Sequence, residues 1–204
     1  FWRRTIAHPA PWAVIAFTPA YAAAARLAAA CMPALLGGVP LLGAVCVGGT
    51  PAANALVTLE LAGVEDIFVV DSAGLCTLLE ETQPGPGRLV LLHRGELDAV
   101  AGAARALELP CYEERRSPIL CLPKPDAFDL EALAFAQAEA LDMALDAPLH
   151  LTPDATYLAP VAALGHCRER RTGPFPHSSA PALTPGCEGF WLHPGLTPDF
   201  FRVQ

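Results

Sequence analysis

The sequence predicts an α/β fold in which a parallel sheet lies between two layers of helices. Three observations predict it. Between residues 12 and 87 one unit recurs: a β-rich apolar run, a Gly/Pro/Thr/Ser turn, then an Ala/Leu-rich segment of helical length. Strands alternating with helices in this way are the signature of βαβ units. The strand runs are apolar along their length rather than alternating, which fits positions covered on both faces, as in a parallel sheet. Finally, 53% of the 204 residues are hydrophobic and only 17% are charged, so a sizeable core is available and disorder is excluded for most of the length.

Each element follows from its residues. Residues 1–11, with Arg3-Arg4, His8-Pro9 and Pro11, read as an entry segment or an edge strand. Trp12–Phe17, Leu41–Val47, Asp66–Val70 and Leu89–His93 read as strands, and Tyr21–Leu36, Pro51–Ala62, Ser72–Glu81 and Glu96–Leu109 as helices. The loop Gln83-Pro84-Gly85-Pro86-Gly87 is a tight turn set by its prolines and glycines. The Rossmann-like core therefore spans residues 1–114. A second, smaller α/β piece spans 115–171, with strands at Ile119–Leu122 and Leu149–Leu151 and helices at Ala127–Leu145 and Ala155–Cys167. Leu130, Leu133, Ala134, Ala138 and Leu141 share a face of the longer helix, and Asp126 is its expected N-cap. Thr152 or Asp154 could cap the helix after the second strand. From Thr172 to the end (172–204) closely spaced prolines and glycines leave no room for regular structure. Phe175, Phe190, Trp191, Phe200 and Phe201 give this irregular tail apolar anchors for wrapping over the domain or over a second subunit.

A formal charge of −8 argues against nucleic acid and anionic membrane surfaces as partners. The basic clusters Arg115-Arg116 and Arg168–Arg171 are short and read as solvated faces. Seven widely spaced cysteines (31, 46, 76, 111, 121, 167, 187) form no C-x-x-C pair. An odd count without a disulfide framework points to a reducing compartment, hence a cytoplasmic location. The uncharged stretch Leu27–Gly49 has the length of a membrane span. It is mostly Ala and Gly and is broken by Pro33, Gly37-Gly38 and Pro40, so it reads better as helix, turn and core strand. The chain starts without Met and shows no secretory signal.

Parallel sheets gather ligands beyond the carboxyl ends of their strands. Those ends carry Thr18-Pro19, Gly48-Gly49-Thr50, Asp71-Ser72 and His93. No G-x-G-x-x-G follows the first strand. Gly48-Gly49-Thr50 opens a helix, so its backbone N–H groups could face an anion, or it is a plain strand-to-helix turn. Asp71 could bond a ribose hydroxyl or cap the following helix. His93 is the best single candidate for acid/base work, without an identified carboxylate partner. His166, Cys167, His177, Cys187 and His193 match no zinc module, so no metal site is expected. Nucleophile elbow, P-loop, H-E-x-x-H and paired-carboxylate motifs are all missing.

Several strings, in order, resemble the histidinol dehydrogenase family, whose fold is of the aldehyde dehydrogenase type. Phe17-Thr18-Pro19-Ala20-Tyr21 is similar to the family's Tyr-Val-Pro-Gly-Gly, and Met32–Val39 to its Leu-Pro-Ala-Lys-Val-Ala-Gly-Val. Pro51–Leu56 with Leu61–Glu65, Gly85–Arg88, Arg116–Leu122, Leu133–Ala140 and Gly195–Phe201 resemble further family motifs. No cofactor is assigned outright and zinc is not expected; the strand ends together with the resemblance make Thr18, Pro19, Gly48, Gly49, Thr50, Asp71, Gly85, Gly87 and Arg88 the candidate cofactor-binding positions, for NAD or NADP if a dinucleotide binds. Arg88, where the family has asparagine, would then face a 2′-phosphate. The resemblance also implies a homodimer.

The departures limit what carries over. The cofactor-contacting tyrosine is Phe17, a family glutamine falls on Gly74, and the zinc-ligating histidine beside Gln137 is Ala140. Between about His166 and Thr172 the chain skips the family segment with the catalytic Glu-His pair and a zinc-binding aspartate, and a C-terminal histidine ligand has no counterpart. One oxygen ligand from Gln137 does not hold zinc alone. Without the acid/base pair the family's oxidation has no proton acceptor. The expected protein is a degenerate homologue, not an active histidinol dehydrogenase, that binds a nucleotide, a small anion or a protein partner through a retained core. The alternatives are an active NAD(P)-dependent oxidoreductase on another substrate and a purely structural interaction module.

Overall fold

The computed structural model describes residues 7–82, 85–114, 119–121, 125–137, 141–142, 155–157, 185–193 and 195–203. Along the chain the elements are β1 (His8–Pro9), β2 (Ala13–Phe17), α1 (Ala24–Leu36), β3 (Leu42–Val47), α2 (Ala53–Leu61), β4 (Asp66–Val70), α3 (Ser72–Thr82), β5 (Arg88–Leu92), α4 (Asp98–Ala106) and β6 (Cys111–Glu114). They continue with β7 (Ile119–Cys121), α5 (Leu130–Ala136), β8 (Leu141–Asp142), β9 (Ala155–Tyr157) and β10 (Arg202–Val203).

Five strands form one parallel sheet in the order β4-β3-β2-β5-β6. The chain builds outward from β2 to β4, crosses back to β5 and continues to β6. Strand order therefore reverses between β2 and β5, the switch point at which open α/β sheets form their crevice. Phe17 lies opposite Cys46 on one side and Leu92 on the other, so the three central strands end level.

Helices cover both faces. Leu27, Ala30, Cys31 and Ala34 of α1 and Ala55 and Leu59 of α2 pack with Ile15, Phe17, Val90 and Leu92. On the other face Leu75 and Leu79 of α3 and Val100, Ala101 and Ala104 of α4 pack with Ala16, Val45, Leu89 and Leu91. Each fully buried Leu or Phe contributes about 1.5–3 kcal/mol relative to exposure, so these two layers carry the fold. No helix among the described residues is long and apolar enough to cross a membrane.

The smaller sheet has the order β8-β7-β9, with both pairings parallel. Here the structure corrects several expectations. Of the helix expected over Ala127–Leu145 the described residues form helix at Leu130–Ala136, while Pro125–Ala127 is a 3₁₀ turn and Leu141–Asp142 is strand. The N-cap of this helix is Asp129, whose carboxylate accepts from the N–H of Glu131 and Ala132, and Asp126 lies in the preceding 3₁₀ turn. The helix expected over Ala155–Cys167 begins as a strand, because Ala155–Tyr157 pairs with β7. The expectations at Leu149–Leu151, Thr152 and Asp154 lie outside the described residues. The tail holds more regular structure than expected: Pro198–Phe201 forms a 3₁₀ turn, and β10 pairs antiparallel with β1.

Gly87 shows how closely the amino ends of the strands are packed. A Cβ placed on it would overlap the indole ring of Trp12. Gly87→Ala is therefore expected to cost about 1–3 kcal/mol, the range for overpacking, measured by urea unfolding. Adding Trp12→Ala to that variant should recover part of the loss.

Candidate functional site

The loops leaving β2 and β3 touch at the carboxyl end of the sheet. A Cβ on Gly49 would stand 3.0 Å from Cγ of Pro19, so only glycine leaves the two turns in contact without displacement. Gly48 has φ +91°, a left-handed conformation that favours glycine, and its N–H donates to the carbonyl oxygen of Val70 (2.8 Å). Thr18 is buried, while Gly48 and Thr50 are exposed. The structure thus brings Thr18, Pro19, Gly48, Gly49 and Thr50 together at the sheet end nearest the switch point.

The other expected positions lie apart. Asp71 closes β4, and its Oδ1 accepts the N–H of Gly74 at 2.6 Å, which makes it a cap for α3. Gly85, Gly87 and Arg88 sit at the amino end of β5, the opposite end of the sheet. The buried Arg88 guanidinium donates to the carbonyl oxygens of Phe200, Arg202, Pro86 and Gly87. It clamps the C-terminal segment to the sheet, so the expectation that it faces a 2′-phosphate is corrected by its placement. Its donors are spent on backbone acceptors about one sheet length from the carboxyl-end turns.

His93 is fully buried, and its Nδ1 accepts two backbone N–H groups, from Gly95 (2.9 Å) and Leu97 (3.1 Å). The proton of a neutral ring is then on Nε2, which faces a carboxylate oxygen of Glu113 at 3.4 Å. His93, Asp98 and Glu113 could offer ligand atoms within 4.8 Å of one another. With Nδ1 occupied by two donors and a hydrogen on Nε2, the ring presents no lone pair to a metal there. His93 fixes the turn from β5 into α4.

A second set of groups meets above β6, and sequence reasoning missed most of it. The Tyr21 hydroxyl donates to Oε1 of Glu114 (2.7 Å), and Oε2 of Glu114 lies 2.6 Å from Nδ1 of His193. Nε2 of His193 lies 2.8 Å from the carbonyl oxygen of Arg26. Both ring nitrogens thus face acceptors. Nε of Arg26 donates to Oε1 of Gln137 (3.2 Å), and the guanidinium stacks 4.3 Å from the Trp191 ring centre. Gln137 in turn donates to the carbonyl oxygens of Glu188 and Phe190. Arg26, Gln137, His193 and Trp191 are all buried.

Burial alone would raise the Glu114 carboxyl. Its hydrogen bond and charge contact with His193, the Tyr21 hydroxyl and the Arg26 charge together hold it below the ordinary glutamate value. Burial, followed by the Glu114 charge, pushes the Tyr21 phenol well above its ordinary value, so it remains a donor. Burial pushes the Cys31 and Cys111 thiols up to about 12, which leaves both unreactive.

One signal could have found this network. Arg26 is the only Lys, Arg, Asp or Glu between Arg4 and Glu60. A lone charge inside so apolar a run is buried with partners or not tolerated. Its hydrogen-bond partner Gln137 and the Glu114 charge that acts on it both lie far along the chain, which no local pattern reveals.

The donor set does not suit zinc. Gln137, the position that the sequence resemblance pairs with a zinc-ligating glutamine, turns its acceptor oxygen to the Arg26 guanidinium, so a metal there would stand beside a fixed positive charge. No family model, curated protein or solved structure matches the chain.

Proposed function

We propose that the chain is a histidinol dehydrogenase-like binding domain, catalytically degenerate, that takes a nucleotide or small anion at the carboxyl ends of β2 and β3. The observation that carries this reading is the pair of touching, accessible turns beside the strand-order reversal. Sheets of this order receive dinucleotides at that place, and a glycine turn lets backbone approach an anion closely. The family assignment rests on the ordered motifs of the sequence. The loss of catalysis is supported by Arg26 holding Gln137 and by His93 being spent on its own turn. NAD or NADP is the proposed ligand class, and a homodimer the proposed assembly.

Two measurements test this reading. Incubation with histidinol, NAD and zinc is expected to yield no NADH above a buffer control, and sustained NADH formation would refute degeneracy. Titration with NAD and NADP is expected to raise the unfolding midpoint; a ligand at 100 times its Kd stabilises by about 2.7 kcal/mol. No shift with either dinucleotide would leave the purely structural reading in place.

A further inference from the structure

Among the described residues the outer edge of the five-stranded sheet is unpaired, apolar along its length and acidic at both ends. Among the described residues no strand pairs with the free side of β4. The carbonyl of Val70 points inward, accepting from Gly48, so the backbone groups of Ile67 and Val69 point outward. Phe68 and Val69, on opposite faces of the sheet, are 57% and 56% exposed. Apolar exposure on one face alone would call for a helix. Exposure on both faces, along an edge with unused hydrogen-bonding groups, calls for another strand.

Charge selects the occupant. Glu65 and Asp66 flank one end of the strand and Asp71 the other, all exposed. Glu60, Glu80 and Glu81 on the adjoining helices are exposed as well, and no Lys, Arg or His stands between Arg26 and Arg88. A second copy pairing antiparallel about Phe68 would set Glu65 against Asp71 at both ends, and a parallel copy would set each acid against its like. Like charges directly opposite are destabilising.

We propose that β4 is a docking edge for an extended apolar segment of a partner protein, flanked by lysine or arginine at both ends, which adds as a sixth strand. Main-chain hydrogen bonds from Ile67 and Val69 hold the segment, Phe68 and Val69 pack against its side chains, and the acidic flanks pair with its basic ends. This surface is independent of the carboxyl-end turns.

The test is fluorescence anisotropy of a labelled peptide, acetyl-Lys-Lys-Val-Thr-Val-Thr-Val-Lys-Lys-amide, titrated with the full chain. A matching peptide with glutamate in place of lysine is the control. Saturable binding of the lysine peptide is expected, at least roughly tenfold tighter than the glutamate peptide. Val69→Pro removes one outward N–H without touching the β3 ladder and should weaken binding by a similar factor. Glu65→Lys combined with Asp66→Lys leaves the strand backbone and the Asp71 cap of α3 intact and should remove the preference for the lysine peptide. Equal binding of both peptides, or no binding of either, would overturn the proposal. So would a wild-type dimer, seen by sedimentation, that Val69→Pro dissociates, since a second copy would then occupy the edge.

Discussion

Glu114→Ala is expected to lower the free energy of unfolding by about 3–5 kcal/mol, the cost of removing one partner from a buried charge network. The Glu114 carboxylate accepts from Tyr21 and His193 and lies in the field of Arg26. Its removal leaves the buried guanidinium without its balancing charge and the Tyr21 hydroxyl without an acceptor. The domain's whole stability is of the order of 5–15 kcal/mol, so much of it would be lost. Urea unfolding with an unchanged m-value would measure the effect cleanly.

Acid dependence gives the same prediction a sign. Folding depresses the Glu114 pKa, so its contribution is fully present above the unfolded glutamate value, about 4.3, and is lost as pH falls through the folded value. The stability difference between wild type and Glu114→Gln should shrink as pH falls below about 4.3. A difference that grew below that pH would contradict the network.

Phe201→Ala is the second large effect, about 3–5 kcal/mol, as for other fully buried Phe truncations. The ring is 0% exposed and belongs to the cluster formed with α1 and the sheet. It meets Phe200 edge to face at 5.0 Å, and its carbonyl accepts the N–H of Ala10 at 2.7 Å. Losing it opens a cavity beneath α1 and loosens the strand pair that ties the two described chain ends together. Phe200 is only half-buried, so in urea unfolding of both variants Phe200→Ala should cost visibly less than Phe201→Ala.

The contrast between these two sites explains what could be read in advance. β2, β3, β4 and β5 announce themselves as apolar runs between turn residues, and their bounds shift by a residue at most. The strand β6 was missed because Cys-Tyr-Glu-Glu is not an apolar run. As an edge strand it carries Glu113 to one face and Glu114 to the other. The edge strand β4 misleads in the opposite direction, since its apolar run promises cover on both faces and most of it is exposed. Around α5, Ala and Leu favour helix by propensity, yet Leu141–Asp142 and Ala155–Tyr157 are drawn into pairing with β7, a tertiary effect that outweighs local preference. In the candidate site, the turns after β2 and β3 follow from strand ends alone. Arg88, near the same strings in sequence, was misplaced because a loop before a strand lies at the opposite end of a parallel sheet from a loop after it.

The proposed ligand place at the carboxyl ends of β2 and β3 rests on the touching turns beside the strand-order reversal. A crystal soaked with NAD tests it most directly. Density for the pyrophosphate against the turns at Pro19 and Gly48-Gly49 is the predicted result. Well-ordered dinucleotide bound elsewhere on the domain, with those turns unoccupied, would contradict it.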